Sequence, residues 1–342
     1  MRFTRRLQAS KTQKRIVKTR IPDLLGIKHP ILQGGMLWIA DAILATSVSN
    51  AGALGTVSPY AGMMEGGDPL ENLRSQVRKT RQLTAHPFAV NIPLDLPTSG
   101  LLINLLLEEN VRIVVTAAGS PEIFTGLLHA CGIRVLHVIS SVSQAKTAES
   151  CGVDAIVAEG VEAGGRVGRD ELPLFSLIPQ VADAVSIPVI AAGGIVDGRG
   201  MAAALMLGAE GVQLGTRFIA VEECLAHPNY KRAITEARDV DTMVAGRALG
   251  PARRIKSDFS LALAAMEKQG VPADSLERFV GRGRARRAQI DGDLTGGDIF
   301  AGSSAGMIEK VLPAAEVVEA LVKSCNEALC SGEVSPRPRG SA

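Results

Sequence analysis

Chemistry-bearing residues are densest in the run from Glu159 to Gly168, EGVEAGGRVG. A carboxylate at Glu159, closely spaced glycines and the planar guanidinium of Arg166 bring acceptors, close backbone approach and a cation into one loop. The alternative for such a loop is a solvated turn. Two other runs end in glycine, Ala191-Ala192-Gly193-Gly194 and Leu214-Gly215-Thr216. Bare glycine lets backbone N–H groups close on an anion, so both suit a phosphate cradle; the alternative is glycine relieving crowding at tight turns. A further run, Gln33-Gly34-Gly35-Met36, offers backbone and a soft thioether on which a flat ring can lie, or equally a turn followed by core packing.

Metal chemistry finds no such pattern. Cys131, Cys151, Cys224, Cys325 and Cys330 form no CxxC or other ligand spacing and read as reduced core thiols. Among the histidines, His29 and His86 precede apolar runs, His129 ends a helical stretch and His227 lies in a later helical segment. His137 sits inside an apolar run, where it faces either inward or a packed, hydrogen-bonded position.

The elements that position these residues follow one repeated grammar. Short apolar or β-branched runs at 31–36, 53–58, 88–94, 113–118, 135–140, 155–160, 189–194 and 212–218 alternate with amphipathic stretches, among them 42–50, 68–83, 122–130, 143–151, 174–185 and 200–207. Runs this apolar on both faces suit a parallel sheet covered by helices, and eight consecutive βα units close a barrel. A doubly wound open sheet is the alternative, but no GxGxxG follows the first run. The expected fold is therefore an α/β TIM (β/α)8 barrel, whose active site lies at the carboxyl ends of the strands, where the glycine-rich runs fall.

After residue 218 the grammar changes. Segments 227–237 and 259–269 read as helices and 278–287 is basic and glycine-interrupted, so 225–299 is expected to form a small helical lid. The barrel is assigned to 21–224 and 300–330, with a last amphipathic helix at 314–330. Residues 1–20 hold eight bases and no acid, leaving 29 bases and 35 acids elsewhere. This leader is read as a disordered extension, an organelle transit peptide being the alternative, and 331–342, with Pro336, Pro338 and Gly340, as a disordered tail. The leader lacks the apolar stretch of a secretory signal, and no run approaches a membrane span, so a soluble, cytoplasmic protein is expected. With 46% hydrophobic residues the chain has material for a full core, while 3% aromatics disfavour stacking of nucleic-acid bases.

Taken in order, QGGM, VNIPL, EGVEAGGRVG, PVIAAGGIVDGRG, GVQLGTRF and AHPNYK resemble the FMN-dependent nitronate monooxygenase (formerly 2-nitropropane dioxygenase) and enoyl-acyl-carrier-protein reductase II superfamily, over about residues 20–325. The resemblance implies an FMN-containing barrel oxidoreductase with NADH or NADPH as co-substrate in the reductase branch. It implies backbone contacts to the flavin from Gly35 and Met36, and Asn91 beneath the ring. Glu159, Gly164 and Gly165 fall beside the ribityl or ring portion, and Gly193, Gly194, Gly215 and Thr216 around the phosphate, Thr216 adding a hydroxyl donor. Gln213 and Ser304 face the same mouth.

One departure stands out. The family motif ends EAGGH, with His as the base that deprotonates a neutral nitroalkane; here the position is Arg166, which cannot exchange protons near neutral pH. Oxidation of an already anionic nitronate needs no base, and Arg166 is expected to anchor that anion. The alternatives are NAD(P)H-dependent reduction of an enoyl thioester, with Arg166 polarising the carbonyl, and a catalytically inactive FMN-binding barrel. Arg278, Arg282, Arg284, Arg286 and Arg287 would suit the phosphates of a coenzyme A or carrier-protein substrate, or form a solvated helix face. No nucleic-acid or membrane partner is expected, and a homodimer is allowed.

Overall fold

The structure is a computed structural model that describes residues 18–63 and 66–330. Most of the expected basic extension, 1–17, and the tail 331–342 lie outside the described residues.

Eleven strands appear among the described residues: β1 (Ile31–Gln33), β2 (Gly55–Val57), β3 (Phe88–Pro93), β4 (Ile113–Ala117), β5 (Arg134–Ile139), β6 (Ala155–Glu159), β7 (Gly165–Arg166), β8 (Val189–Ala192), β9 (Gly211–Leu214), β10 (Thr242–Ala245) and β11 (Ala252–Ile255). Eight of them form one parallel sheet in the order β1-β9-β8-β6-β5-β4-β3-β2. The ends meet at Leu32 and Leu54, where Leu54 N donates to Ile31 O and Gln33 N to Leu54 O, both at 2.9 Å. Buried Gln33 adds a side-chain clasp, its Oε1 accepting from Thr56 N at 2.8 Å. The fold is thus the (β/α)8 barrel, and each of the eight apolar runs overlaps one of its strands, β5 and β9 starting one residue earlier than their runs. The last run is shorter than its apolar stretch, because the chain turns into the helix Thr216–Ile219 directly after Leu214 and Gly215.

Alternation along each strand sorts side chains into two layers. Ala89, Val115, Leu136, Val157 and Ile190 fill the barrel, while Val90, Val114, Val135, Ile156 and Ala191 face the helices. Several helices start on an Asp or Ser whose side chain accepts the orphan N–H groups of the first turn: Asp41, Asp68, Ser141 and Asp197.

The amino end of the barrel is closed by the helix Arg20–Leu25, with Ile21 and Leu25 buried against the barrel interior. Arg20, expected within the extension, belongs to the fold: its backbone N and guanidinium hold Glu210, and Nη1 donates to Ser186 O at 2.7 Å. At 314–330 the expected helix, Ala314–Cys330, packs on the helix Gly198–Met206, where Gly198 N donates to Ser324 Oγ at 3.2 Å.

The segment 225–299 is not purely helical. Besides the helices Pro228–Thr235, Asp258–Lys268, Ala273–Val280 and Arg284–Gln289 it carries the antiparallel pair β10–β11, and β11 pairs with β7, placing Ala252 opposite Arg166. Strands of two to four residues leave no local alternation to read, and the partner of β11 at β7 lies more than eighty residues away. No helix among the described residues is long and apolar enough to cross a membrane.

Candidate active site

A cavity of about 1200 Å³ opens at the carboxyl end of the barrel. The strand ends Asn91, Glu159, Ala192 and Leu214 lie in its wall, and Ala285 and Gln289 from the 225–299 segment lie there too.

At the end of β1, Gly35 rests against Asn91; a Cβ on Gly35 would lie 2.4 Å from Asn91 Cγ, so no larger residue fits without moving Asn91. Asn91 follows Ala89 in the inward row of β3 and is fixed by donation from Nδ2 to Val115 O at 3.1 Å. Met36 adjoins in the same wall. Glu159 continues the inward row of Ala155 and Val157, and desolvation pushes its carboxyl up to about 8. No hydrogen bond reaches that carboxyl among the described residues, so near neutral pH it is largely a neutral group able both to donate and to accept.

The β8 and β9 ends form the glycine cradle. Gly193 and Gly194 hold φ of +105° and +69°, a region that L side chains rarely adopt. Gly215 differs: its φ is −102°, and a Cβ there would meet nothing within 4 Å, so its missing side chain leaves open space in the cavity. The loop at 302–304 stitches three strand-end loops together. Gly302 N donates to Thr216 Oγ1 at 2.9 Å, Ser303 N to Glu162 O at 2.9 Å, and Ser304 Oγ to Gly194 O at 2.7 Å. Thr216, expected to supply a donor, is therefore used first as an acceptor. Ser304 was expected only to face the mouth, yet it fixes Gly194. Gly164 must be small for the same reason, since a Cβ would lie 2.6 Å from Ala301 C. Gly165 borders the cavity, as do Gly194, Gly215, Gln213 and Ser304.

Arg166 lies apart from this floor. Its side chain is 74% exposed at the cavity rim and pairs with Asp95 Oδ2 at 2.5 Å. Glu162, a nearer candidate in sequence, is occupied instead by Leu174 N, which donates to both its carboxylate oxygens at 2.9 Å. Nothing in the sequence around Asp95 marks it as the partner, 71 residues away.

No histidine takes the position of the missing base. His137 belongs to the outward row of β5 and borders the cavity beside Ser140; its Nδ1 lies 2.8 Å from Thr116 Oγ1, and burial lowers its pKa to about 4, which keeps the imidazole neutral. His227 Nδ1 accepts from Asn229 N, and His129 Nε2 contacts Asp154, which precedes β6 at the amino end of the barrel. The arginine cluster does not form an open phosphate site either. Arg284 donates to Val280 O, Gly296 O and Phe279 O and lies 4.4 Å over the Phe259 ring; Arg286 and Arg287 pair with Asp291 and Asp293, and Arg278 reaches Ser275. Three arginines of a run that reads as a shared charge surface, Arg284, Arg286 and Arg287, are engaged separately by carbonyls and acids at 279–296, while Arg282 stays exposed. No cluster of potential metal ligands occurs among the described residues.

The sequence profile of the nitronate monooxygenase family matches residues 18–100 and 99–324. The chain belongs to this family. A probable nitronate monooxygenase of Staphylococcus saprophyticus is 31% identical over 359 aligned positions, covering 91% of this chain and 98% of that protein. A (3aS,4S,5R,7aS)-5-hydroxy-7a-methyl-1-oxo-octahydro-1H-indene-4-carboxyl-CoA dehydrogenase of Rhodococcus jostii is 38% identical over 239 residues, 70% of this chain but only 65% of that protein's length. Among solved structures, FabK from Thermotoga maritima superposes with a TM-score of 0.86 at 42% identity, over 92% of this chain and 97% of the other. A nitroalkane oxidase from Streptomyces ansochromogenes gives a TM-score of 0.78 at 28% identity, over 92% and 100%. Nitronate monooxygenase family members are flavin-dependent oxidoreductases, and this chain is an enzyme of that class.

Proposed function

We propose that the protein is an FMN-dependent oxidoreductase acting at the carbon–carbon bond conjugated with an acyl thioester. The observation that carries this reading is the shape of the cavity. Beyond the glycine cradle it continues past the ends of β4 and β5 into a lobe lined by Ser120, Ser140, Ser143, Gln144 and Thr147. At about 1200 Å³ it exceeds the roughly 300–1,000 Å³ typical of a pocket for one small ligand, leaving room for a long second molecule beside a cofactor. Hydroxyl and amide side chains in that lobe suit an amide-containing arm better than a small nitronate. The likeness to FabK and to a dehydrogenase named for a carboxyl-CoA compound supports the same reading.

FMN fits the donor set on this side of the cavity. Backbone N–H groups of Gly193, Gly194, Gly215 and Thr216 would hold its phosphate, and the open space at Gly215 admits one. Glu159, Gly164 and Gly165 would flank the ribityl chain, with Gly35, Met36 and Asn91 against the ring. Bound there, FMN would supply two-electron chemistry that no side chain of the cavity offers. Its electrons would come from NADH or NADPH.

The chain's own residues do the rest. Glu159 holds a proton at the carboxyl end of β6, inside the cavity. Arg166 at the rim would anchor a carbonyl or anionic oxygen once released from Asp95, and the 225–299 segment limits water at the mouth.

A second reading, oxidation of an anionic nitronate, is favoured by Arg166, a cation at the mouth that cannot itself serve as a base for a neutral nitroalkane. Steady-state assays separate the two. NADH or NADPH consumption dependent on crotonyl-CoA supports the first reading; oxygen uptake with propionate 3-nitronate, and none of the former, supports the second. Absence of any turnover by a flavin-loaded protein would leave a binding barrel.

A further inference from the structure

We infer that Arg217 is the buried counter-charge of the cofactor's phosphate end, an inference that rests on the FMN reading above. Arg217 follows the cradle residues Gly215 and Thr216 directly, but its side chain turns away from the cavity. It is 7% exposed. Nη2 donates to Ala220 O at 2.5 Å and to Lys310 O at 2.9 Å, while Nε is buried without a partner.

The contrast with Arg254 is informative. Arg254 is equally buried, but Asp298 lies 3.1 Å from its Nη1 and supplies a compensating charge. Arg217 has no carboxylate in contact among the described residues, and burial alone depresses its pKa to about 10. Two carbonyl dipoles offset a buried monovalent charge only in part, so a cation left this way lowers the stability of the fold. An anion seated at Gly215 and Thr216, one and two residues away, would remove that imbalance, because charges interact across several ångströms where water is excluded. The phosphate is thereby bound by amides from the cavity side and by a full positive charge from behind.

A purely structural role is the competing account, since the same guanidinium joins the 220 and 310 loops. Riboflavin, which is FMN without its phosphate, distinguishes them. Dissociation constants for FMN and riboflavin are measured by flavin fluorescence quenching with the apoprotein, for wild type, Arg217→Met and Arg217→Lys. The proposal predicts that Arg217→Met weakens FMN by about 10-fold or more and riboflavin by less than about 3-fold. Arg217→Lys, which keeps the charge and loses the fork, should retain the FMN preference even where both ligands bind more weakly, and it carries the test if the Met variant fails to fold. Equal losses for the two flavins, no loss for either, or a collapsed preference in the Lys variant would overturn it. A wild-type protein that binds neither flavin overturns the FMN reading itself, and this inference with it.

Discussion

The two ends of the cavity are built from different materials. The cradle at Gly193, Gly194 and Gly215 is backbone, held by buried hydrogen bonds from Gly302, Ser303 and Ser304. The rim at Arg166 and Asp95 is side chain, 74% and 40% exposed, joined by one ion pair. An exposed pair of this kind contributes little stability, about 0–1 kcal/mol, and exchanges readily with another anion. Positive φ at Gly193 and Gly194 and the close approach at Gly164 restrict the cradle to small residues, whereas the rim can change its charge partner without disturbing the barrel.

Gly215→Val should give the largest effect and the sharpest contrast. Its backbone angles allow valine and no atom lies within 4 Å of the new Cβ, so only the contents of the cavity are obstructed. We expect FMN affinity to fall by about 100-fold or more with the melting temperature of the apoprotein nearly unchanged. Gly194→Val, at φ +69° and with Glu162 Cβ at 3.1 Å, should lose both. Absorbance of the bound flavin and a thermal melt read the two quantities separately.

At the rim, Arg166→Ala should lower kcat/KM by roughly 10- to 100-fold while FMN stays bound, since the lost contact serves the substrate alone. Asp95→Asn should act in the opposite direction, lowering KM for an anionic substrate by freeing the guanidinium. Restoring the family residue with Arg166→His should create turnover of neutral nitroalkanes where wild type has none. If all three variants are kinetically silent, the rim has no part in recognition and the comparison fails at that end.

Thr216→Val tests the stitching under the cradle. It leaves Gly302 N without its acceptor, at a cost of about 1–3 kcal/mol, and should loosen FMN binding more than it changes rim kinetics. A separate effect, read in stability and not in ligand binding, concerns Glu159. Its folded pKa of about 8 lies above the ordinary carboxylate range, so the folded apoprotein keeps a proton that the unfolded chain releases near pH 4.3. Stability contributed by that proton is present below the unfolded value and is lost as pH rises towards 8, with a slope of at most about 1.4 kcal/mol per pH unit. Glu159→Gln should flatten that slope in denaturant titrations at pH 5 to 9; an unchanged slope would place the carboxylate in a polar setting instead.

How far the sequence disclosed all this follows the same division. Strands such as β4, with Ile-Val-Val buried on both faces, announce themselves through composition, and the glycine runs announce the cradle because φ above zero and close approach restrict the residue type. The strands β7, β10 and β11 were invisible, being two to four residues long, and β7 meets β11 only across more than eighty residues. The partners of charged side chains were equally hidden. Arg166 meets Asp95, Arg20 meets Glu210 and Arg284 meets three carbonyls because of how the chain returns on itself. Residue type limits what a guanidinium can bind, but only the fold chooses among the candidates.

The proposed fit of a thioester beside the cofactor is read by an anaerobic single turnover: the FMN-loaded protein is reduced with NADH or NADPH, mixed with crotonyl-CoA, and followed at the oxidised flavin band. Recovery of the oxidised spectrum is expected, with one saturated thioester formed per flavin, on a timescale of seconds or less. A reduced spectrum that persists with crotonyl-CoA, from a protein that does oxidise propionate 3-nitronate in air, would contradict it.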